Sequence, residues 1–272
     1  MKHLFRRAML LALVLVFAAM PALAEDYYIE VDVTSQIVTI FLLEEDRPAR
    51  IVRQMVCSTG DETPEGIFLM PADQKMTDRG EWYYTLNVYV KWPTRILGDI
   101  LFHSLPYSRE DEASLMHREA SLIGTPASHG CIRLYAEDAL WIAENCRILT
   151  IVNINERESD NDALRQLLMN NSYTGDVPYE EFLAGAAEYH IGADVAAIIA
   201  DFDSKKLAII NITNNEFLNM RAEMDYESAL AGYVPDGGIV EVLDHGKKWS
   251  LIKYKDYVGY IATAYLVPMF VD

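Results

Sequence analysis

The chain has 272 residues, which is more than the roughly 100 to 150 residues of a typical domain, so we expect two domains. Its formal net charge is -18 at pH 7. The phosphates of nucleic acids would repel so acidic a protein, which excludes nucleic acid as a partner. Anionic lipid would bind it poorly, which disfavours anionic lipid as a partner.

The N-terminus has the pattern of a secretory signal peptide. Lys2, Arg6 and Arg7 precede an apolar run from Ala8 to Met20, and Ala22-Leu23-Ala24 supplies a small-residue cleavage site. The alternative is a membrane anchor, but the apolar run is shorter than the roughly 20 residues of a spanning helix. We expect residues 1–24 to be removed, which takes three basic residues away and lowers the formal charge from -18 to about -21. The mature protein is then extracytoplasmic, either secreted or cell-wall associated (periplasmic if there are two membranes), with no membrane span.

The first half of the mature chain has strand patterns. Apolar and polar residues alternate in 28–33, and an apolar run follows in 37–42. Further strands are predicted at 51–57, 66–70, 83–90 and 99–103, separated by Gly, Pro and Asp clusters. This pattern predicts a mainly β domain.

A helix is predicted from Tyr135 to about Asn145. Glu137 and Asp138 lie in its first turn, where the helix dipole favours acids. Ala136, Ala139, Leu140 and Ala143 recur at helical spacing and predict one buried face. A strand follows at 149–154, so the segment before the helix is a turn between sheet and helix.

Residues 156–204 begin with a run of polar residues and then give two short helical patterns, around 164–169 and 179–188. We expect a helical spacer here that packs the two domains together. Beyond it, short strands are predicted at 207–212, 238–243, 249–254 and 257–262, with Lys255-Asp256 as a tight hairpin link between the last two.

The run from Ser128 to Arg133 carries the strongest chemical signal. It places Cys131 beside Gly130 and His129. A thiol attacks as its thiolate, so a nucleophilic cysteine needs an imidazole that lowers its pKa or accepts its proton, and glycine leaves room for the substrate backbone. The three cysteines, an odd number, leave at least one thiol free, and Cys131 is the candidate; Cys57 and Cys146 either pair or are small buried hydrophobic residues.

Residues 26 to 155 resemble the L,D-transpeptidase family. The resemblance rests on the Ser128–Arg133 run and Leu134, on Phe102-His103-Ser104 upstream, on Gly124-Thr125-Pro126-Ala127, and on weaker matches at 31–33, Gln36, 57–60 and 63–66. It implies a β-sandwich-like catalytic domain whose cysteine is acylated by a peptidoglycan stem peptide, with no cofactor and no metal. An amine of a neighbouring stem peptide then takes over the acyl group.

The resemblance implies a role for each residue of the motif. Cys131 is the nucleophile, His103 the base, and the backbone carbonyl of Ser104 orients the imidazole, with His117 as the alternative base. His129 lines the pocket or supports the turn, and the N–H groups of Gly130 and Cys131 are the expected oxyanion donors. Ser128 and Arg133 are assigned to substrate binding, although Arg133 could equally pair with a protein acid. Tyr83, Tyr84, Trp92 and Tyr107 border the cleft or pack in the core.

Most of residues 205–267 resemble a bacterial SH3-like domain, which implies attachment to cell-wall peptide. We therefore predict a signal peptide (1–24), a catalytic domain (25–155), a helical spacer (156–204) and an SH3-like β-barrel (205–272) in a mainly β monomer. Three alternatives to the transpeptidase stay open. They are an L,D-carboxypeptidase acting on the same stem peptides, a zinc peptidase with His103, His129 and Cys131 as ligands, and a non-catalytic wall-binding protein.

Overall fold

The computed structural model describes residues 26–44, 47–71, 81–146, 148–183, 197–198, 200–201, 204–212 and 217–269. The predicted signal peptide, residues 1–24, lies outside the described residues, as does the end of the helical pattern at 179–188. Within the described parts of the chain, no helix has the length and apolar character needed to cross a membrane.

Ten strands are described between residues 26 and 155: β1 (Asp26–Asp32), β2 (Ile37–Glu44), β3 (Arg47–Val56), β4 (Gly66–Leu69), β5 (Trp82–Thr85), β6 (Val88–Lys91), β7 (Thr94–Leu97), β8 (Ile100–Ser104), β9 (Ile132–Leu134) and β10 (Ile151–Asn155). The large sheet of this part of the chain has five strands in the order β3-β2-β1-β10-β4. Strands β1 and β10 are parallel, whereas the other pairs of this sheet are antiparallel.

A second sheet, β7-β8-β9, presents the predicted motif. Strands β8 and β9 are parallel, with Phe102 opposite Ile132 and His103 opposite Arg133. The side chains of Phe102, Ile132 and Leu134 are fully buried in the main core, which they share with the large sheet. Because side chains alternate between the faces of a strand, His103 and Arg133 lie on the opposite face.

The single strand predicted at 83–90 is wrong, because the structure forms a hairpin there. Strands β5 and β6 pair with Trp82 opposite Lys91, and Leu86 and Asn87 form the turn. Both turn residues have positive φ, 45° and 66°, as a tight two-residue hairpin requires. Leu86 is apolar although it is 74% exposed in the turn, so the hydrophobic pattern of the sequence did not indicate that a turn interrupts the strand.

Four α-helices are described: α1 (His117–Ala120), α2 (Ala136–Asn145), α3 (Asp162–Asn170) and α4 (Tyr179–Phe182). Helix α2 confirms the predicted helix. Of the predicted face only Ala139 is buried, and Asp138 and Ile142 complete the buried face. Asp138 is buried because its carboxylate accepts hydrogen bonds from Arg53 of β3 and from the hydroxyl of Ser172. This ion pair ties α2 to the large sheet.

Helix α3 packs on the catalytic domain. The N–H of Leu164 donates to Asn161, which caps the helix. Leu164 and Leu168 are fully buried against Ile37 and Val56 of the large sheet. This part of the predicted spacer therefore covers the catalytic domain.

Residues 207–268 contain seven strands: β11 (Leu207–Ile210), β12 (Phe217–Arg221), β13 (Leu230–Pro235), β14 (Ile239–Asp244), β15 (Trp249–Tyr254), β16 (Tyr257–Ala262) and β17 (Leu266–Pro268). They form one sheet in the order β13-β12-β16-β15-β14-β11-β17, around a separate apolar core. Strands β15 and β16 have their predicted bounds, with Lys255 at φ 53° in the link. The predicted mainly β fold is confirmed.

Cys57, Cys131 and Cys146 are not disulfide-bonded. Cys57 and Cys146 are buried in the main core, where loss of solvation raises the pKa of both thiols. Of the two alternatives for this pair, the structure has small buried hydrophobic residues and no disulfide.

Candidate active site

Cys131 ends a turn that enters β9, and several hydrogen bonds hold this turn. The N–H of Ser128 donates to the carbonyl of Thr59 (2.9 Å), and the Ser128 hydroxyl donates to the carbonyl of Cys131 (2.6 Å). The hydroxyl of Thr63 donates to the carbonyl of Gly130 (2.8 Å). Among the described residues, nothing accepts a hydrogen bond from the N–H groups of Gly130 and Cys131. The hydrogen bonds of the turn therefore hold the peptide groups of Gly130 and Cys131 in place, while their two N–H groups have no acceptor among the described residues.

Two glycines allow the backbone to pack closely at this turn. A Cβ on Gly60 would lie 2.1 Å from the carbonyl oxygen of Ser128, and one on Gly130 would lie 2.9 Å from the end of the Ile100 side chain. The first contact is with backbone, which cannot rotate away. Gly60 is therefore required by close approach of the two segments.

The segment before the turn is held by Gln36, a residue with positive φ of 58°. Its side-chain amide donates to the hydroxyl of Thr59 (2.7 Å) and its side-chain oxygen accepts from the Thr59 N–H (2.7 Å). Ser58 then exchanges two backbone hydrogen bonds of 2.9 Å with Arg133 of β9. These contacts explain why the weaker matches at Gln36 and 57–60 occur together with the cysteine motif.

The pairing of β8 with β9 brings His103 and Cys131 to one face of the small sheet. Cys131 lies directly before β9 and two residues before Arg133, the partner of His103, so alternation continued one residue beyond the strand places both side chains on the face away from the core. His103 is 5% exposed, and its Nδ1 lies 2.6 Å from the carbonyl oxygen of Ser104. Because a carbonyl only accepts, Nδ1 carries the proton and Nε2 of the neutral ring is left as an acceptor.

Burial sets the charge state of both groups. It lowers the pKa of His103 to about 4 from 6.5; the hydrogen bond to Ser104 opposes this, and the Arg133 charge adds to it. Burial also raises the pKa of the Cys131 thiol, while the Leu101 N–H and the Arg133 charge oppose the rise. The sulfur additionally donates to the carbonyl of Asp99 (3.4 Å). Thiol and imidazole are therefore both neutral near pH 7, an arrangement suited to proton transfer during attack.

Arg133 has a protein partner. Its Nη1 lies 3.4 Å from a carboxylate oxygen of Glu119 on α1, and the Arg133 side chain is 14% exposed. Of the two roles predicted for Arg133, this contact favours pairing with a protein acid. The positive charge still acts on both His103 and Cys131.

The other predicted residues are scattered. His117, the alternative base, is exposed on α1, and His129 is exposed at the start of the turn. Trp92 packs against the main core, and Tyr107 is buried edge-on against Trp82. Tyr84 is 57% exposed on β5.

Sequence reasoning missed two contacts of the site. It named Thr63 only as part of a turn, although the Thr63 hydroxyl fixes the Gly130 carbonyl. It gave Glu119 no role. A threonine three residues after a glycine is a common turn signal, so the local sequence could not reveal a contact across 67 residues.

Among the described residues, no group of three or more His, Cys, Asp or Glu side chains is arranged to hold a metal ion. The zinc-peptidase alternative requires such a group.

Comparison with known proteins gives a family match for each of two separate parts of the chain. The L,D-transpeptidase catalytic domain family (YkuD) matches residues 26–154, and the bacterial SH3 domain family matches residues 216–267. YciB of Bacillus subtilis (strain 168), provisionally named an L,D-transpeptidase, is 37% identical over 91 residues. That match covers 31% of this chain and 42% of YciB, so the chain spans less than half of this relative.

Solved structures give similar matches. A fused Zn-dependent amidase/peptidase/peptidoglycan-binding domain protein from Clostridium acetobutylicum is 25% identical, with a TM-score of 0.35, over 48% of this chain and 52% of that one. Mycobacterium tuberculosis L,D-transpeptidase 1 is 17% identical, with a TM-score of 0.33, over 48% of this chain and 62% of that one. The two family matches lie on the two cores of the fold. This chain thus combines an L,D-transpeptidase catalytic domain of the YkuD family with a bacterial SH3 domain.

Proposed function

We propose that this protein is an exported L,D-transpeptidase that acts on peptidoglycan stem peptides through a thioester on Cys131. The observation that carries the proposal is the placement of His103. It is buried on the same sheet face as Cys131, and its Nδ1 is bound by the Ser104 carbonyl at 2.6 Å. This arrangement leaves Nε2 as the acceptor for the thiol proton.

In the proposed acylation, the Cys131 sulfur attacks the carbonyl carbon that precedes the terminal residue of the stem peptide. His103 takes the thiol proton and returns it to the leaving amine, so the products are a thioester and a free terminal amino acid. The unused N–H groups of Gly130 and Cys131 are the proposed donors to the oxyanion. An acceptor amine then attacks the thioester carbon, the carbon–sulfur bond breaks, and the sulfur regains a proton.

The remaining motif residues are proposed to support this step. The Ser128 hydroxyl is bonded inside the turn, which makes Ser128 a positioning residue for Cys131. Arg133, paired with Glu119, supplies positive charge beside the thiol. His129 is exposed and is proposed to line the pocket.

An L,D-carboxypeptidase would use the same residues with water in place of the amine, and no observation on this chain favours it over the transpeptidase. The proposal also includes export, attachment to cell-wall peptide through the SH3 domain, a monomeric state and the predicted boundaries of the domains.

The test is mass spectrometry of the protein after incubation with a tetrapeptide-stem muropeptide. We expect a covalent adduct on Cys131, none in Cys131→Ala, and a cross-linked dimer as the product when acceptor is present. The matched pair His103→Ala and His117→Ala tests the base, because His117 is exposed on α1. Retained turnover in Cys131→Ala, or loss of turnover only in His117→Ala, would overturn the assignment.

A further inference from the structure

The thiol of Cys131 carries a single hydrogen, and in this structure that hydrogen is not donated to the base. The sulfur donates to the carbonyl of Asp99 at 3.4 Å. Among the described residues, no hydrogen bond joins the sulfur to His103, whose Nδ1 is bound by the Ser104 carbonyl. Donation to Asp99 excludes donation to Nε2 of His103, because a thiol has one hydrogen to give. The Asp99 carbonyl and the base therefore compete for the proton that acylation must remove.

Asp99 belongs to the link between β7 and β8, which consists of Gly98 and Asp99. Leu97 and Ile100 pair across this link. The end of the Ile100 side chain would lie 2.9 Å from a Cβ on Gly130, so this side of the link lies against the cysteine turn. A two-residue hairpin link has little freedom of its own, so the Asp99 carbonyl moves together with Leu97 and Ile100.

Leu97 joins this link to the SH3 domain. Among the partly buried apolar residues in the described part of the chain, Leu97 is the one that packs against both the main core and the SH3 core. Beside it a cleft of about 370 Å³ opens between the two domains, and Gly98 lines this cleft. A Cβ on Gly98 would meet no atom within 4 Å. The link therefore has free space on the side of the cleft, and the SH3 core supports it through Leu97.

We propose that the SH3 domain, by packing on Leu97, holds the β7–β8 link in a resting position in which the Asp99 carbonyl retains the hydrogen of Cys131. Leu97 is a positioning residue for the nucleophile, acting through Asp99. When the SH3 domain moves off Leu97, the link is released and the thiol turns to His103. No covalent bond changes in this step; the thiol exchanges one hydrogen-bond acceptor for another. The inference rests on the proposed function and deepens it, because it gives that same site a means of regulation.

The reactivity of the thiol reports this contact. A hydrogen bond donated by the neutral thiol favours the thiol over the thiolate, so loss of the bond to Asp99 lowers the pKa of Cys131 and increases the thiolate that reacts. The charges that act on the thiol are those of Arg133 on β9 and of the Asp99 carboxylate, and the imidazole of His103 lies on the same sheet face. A Leu97 variant keeps all three groups, so a change in its reactivity reflects the position of the link.

The test measures alkylation of Cys131 by iodoacetamide as a function of pH in the full-length Leu97→Ala protein. We expect the midpoint of the profile to fall by about 0.7 pH unit, a change of about fivefold in the thiol–thiolate equilibrium, as for one lost neutral hydrogen bond. The matched control is Leu218→Ala, because Leu218 packs against the SH3 core without packing against the main core. Leu97→Met, which nearly conserves the side-chain volume, is expected to keep the midpoint within about 0.2 pH unit of the unmodified protein.

An unchanged midpoint in Leu97→Ala, or an equal fall in Leu218→Ala, would overturn the inference. Alkylation of the buried Cys57 and Cys146 detects an opened core, and in that case the milder Leu97→Val takes the place of Leu97→Ala, with the same direction expected and the same outcomes against it. The proposed function fails by a different observation, the absence of a peptide adduct on Cys131 in the unmodified protein, since iodoacetamide reacts without any stem peptide.

Discussion

Lowering the pH should protonate His103 at an unusually acidic value, and in the proposed mechanism this sets the pH at which acylation is lost. Burial lowers the His103 pKa from 6.5 to about 4. Only the neutral imidazole accepts the thiol proton, so at pH 5 about 90% of the protein keeps its base, against about 3% for an unperturbed histidine. We therefore expect the acylation rate at pH 5 to remain close to its value at pH 6.5.

The assay is the rate of adduct formation on Cys131, followed by intact-protein mass spectrometry from pH 3.5 to 8. We expect a single acid limb with a midpoint near 4. Arg133→Gln should move this midpoint upward, because the Arg133 charge contributes to lowering the His103 pKa. The control is Arg118→Gln on the exposed part of α1. An acid limb centred near 6.5 in the unmodified protein would refute the reasoning.

The same shift has a consequence for stability. The unfolded chain binds a proton at His103 below about pH 6.5, whereas the folded chain binds it only below about 4, so the folded state loses stability as the pH falls between these values. At about 1.4 kcal/mol per pH unit, the loss due to His103 is about 3 kcal/mol. Urea unfolding of the unmodified protein and of His103→Gln at pH 7 and pH 4.5 isolates this contribution, and equal pH dependence in both would contradict it.

Three further predictions concern the scaffold of the site. In Gly60→Ala the new Cβ would lie 2.1 Å from the Ser128 carbonyl oxygen. We therefore expect the free energy of unfolding in urea to fall by about 1 to 3 kcal/mol and acylation to be about 100-fold slower. An unchanged acylation rate would contradict the close approach of the two segments. Asp138→Ala leaves the Arg53 guanidinium buried without its carboxylate, which should lower the free energy of unfolding by about 3 to 5 kcal/mol. A loss below about 1 kcal/mol would show that this ion pair does not hold the helix to the sheet. Iodoacetamide should modify Cys131 alone in the native protein and all three cysteines after unfolding, since the other two are buried; two modified sites in the native protein would show that the core opens.

The sequence by itself determined the elements and the chemistry of the motif. Alternation of apolar residues predicted the strands around Ile29 and Ile40, and helical spacing predicted α2, because each depends on local periodicity. The sequence of Ser128 to Cys131 identified the nucleophile candidate, because a thiol beside glycine and histidine is informative without any knowledge of the fold. The prediction of a single strand at 83–90 failed at Leu86, where an apolar residue occupies the turn of a hairpin.

Only the tertiary structure decided which groups meet. His103 and Cys131 are 28 positions apart, and parallel pairing of β8 with β9 places them on one face while leaving His117 exposed on the connecting segment. Burial of Asp138 and the opening of the interdomain cleft beside Gly98 depend on packing between elements distant in the chain. Local sequence sets conformation and periodicity, whereas register, burial and electrostatic environment arise from contacts that form only when distant segments pack together.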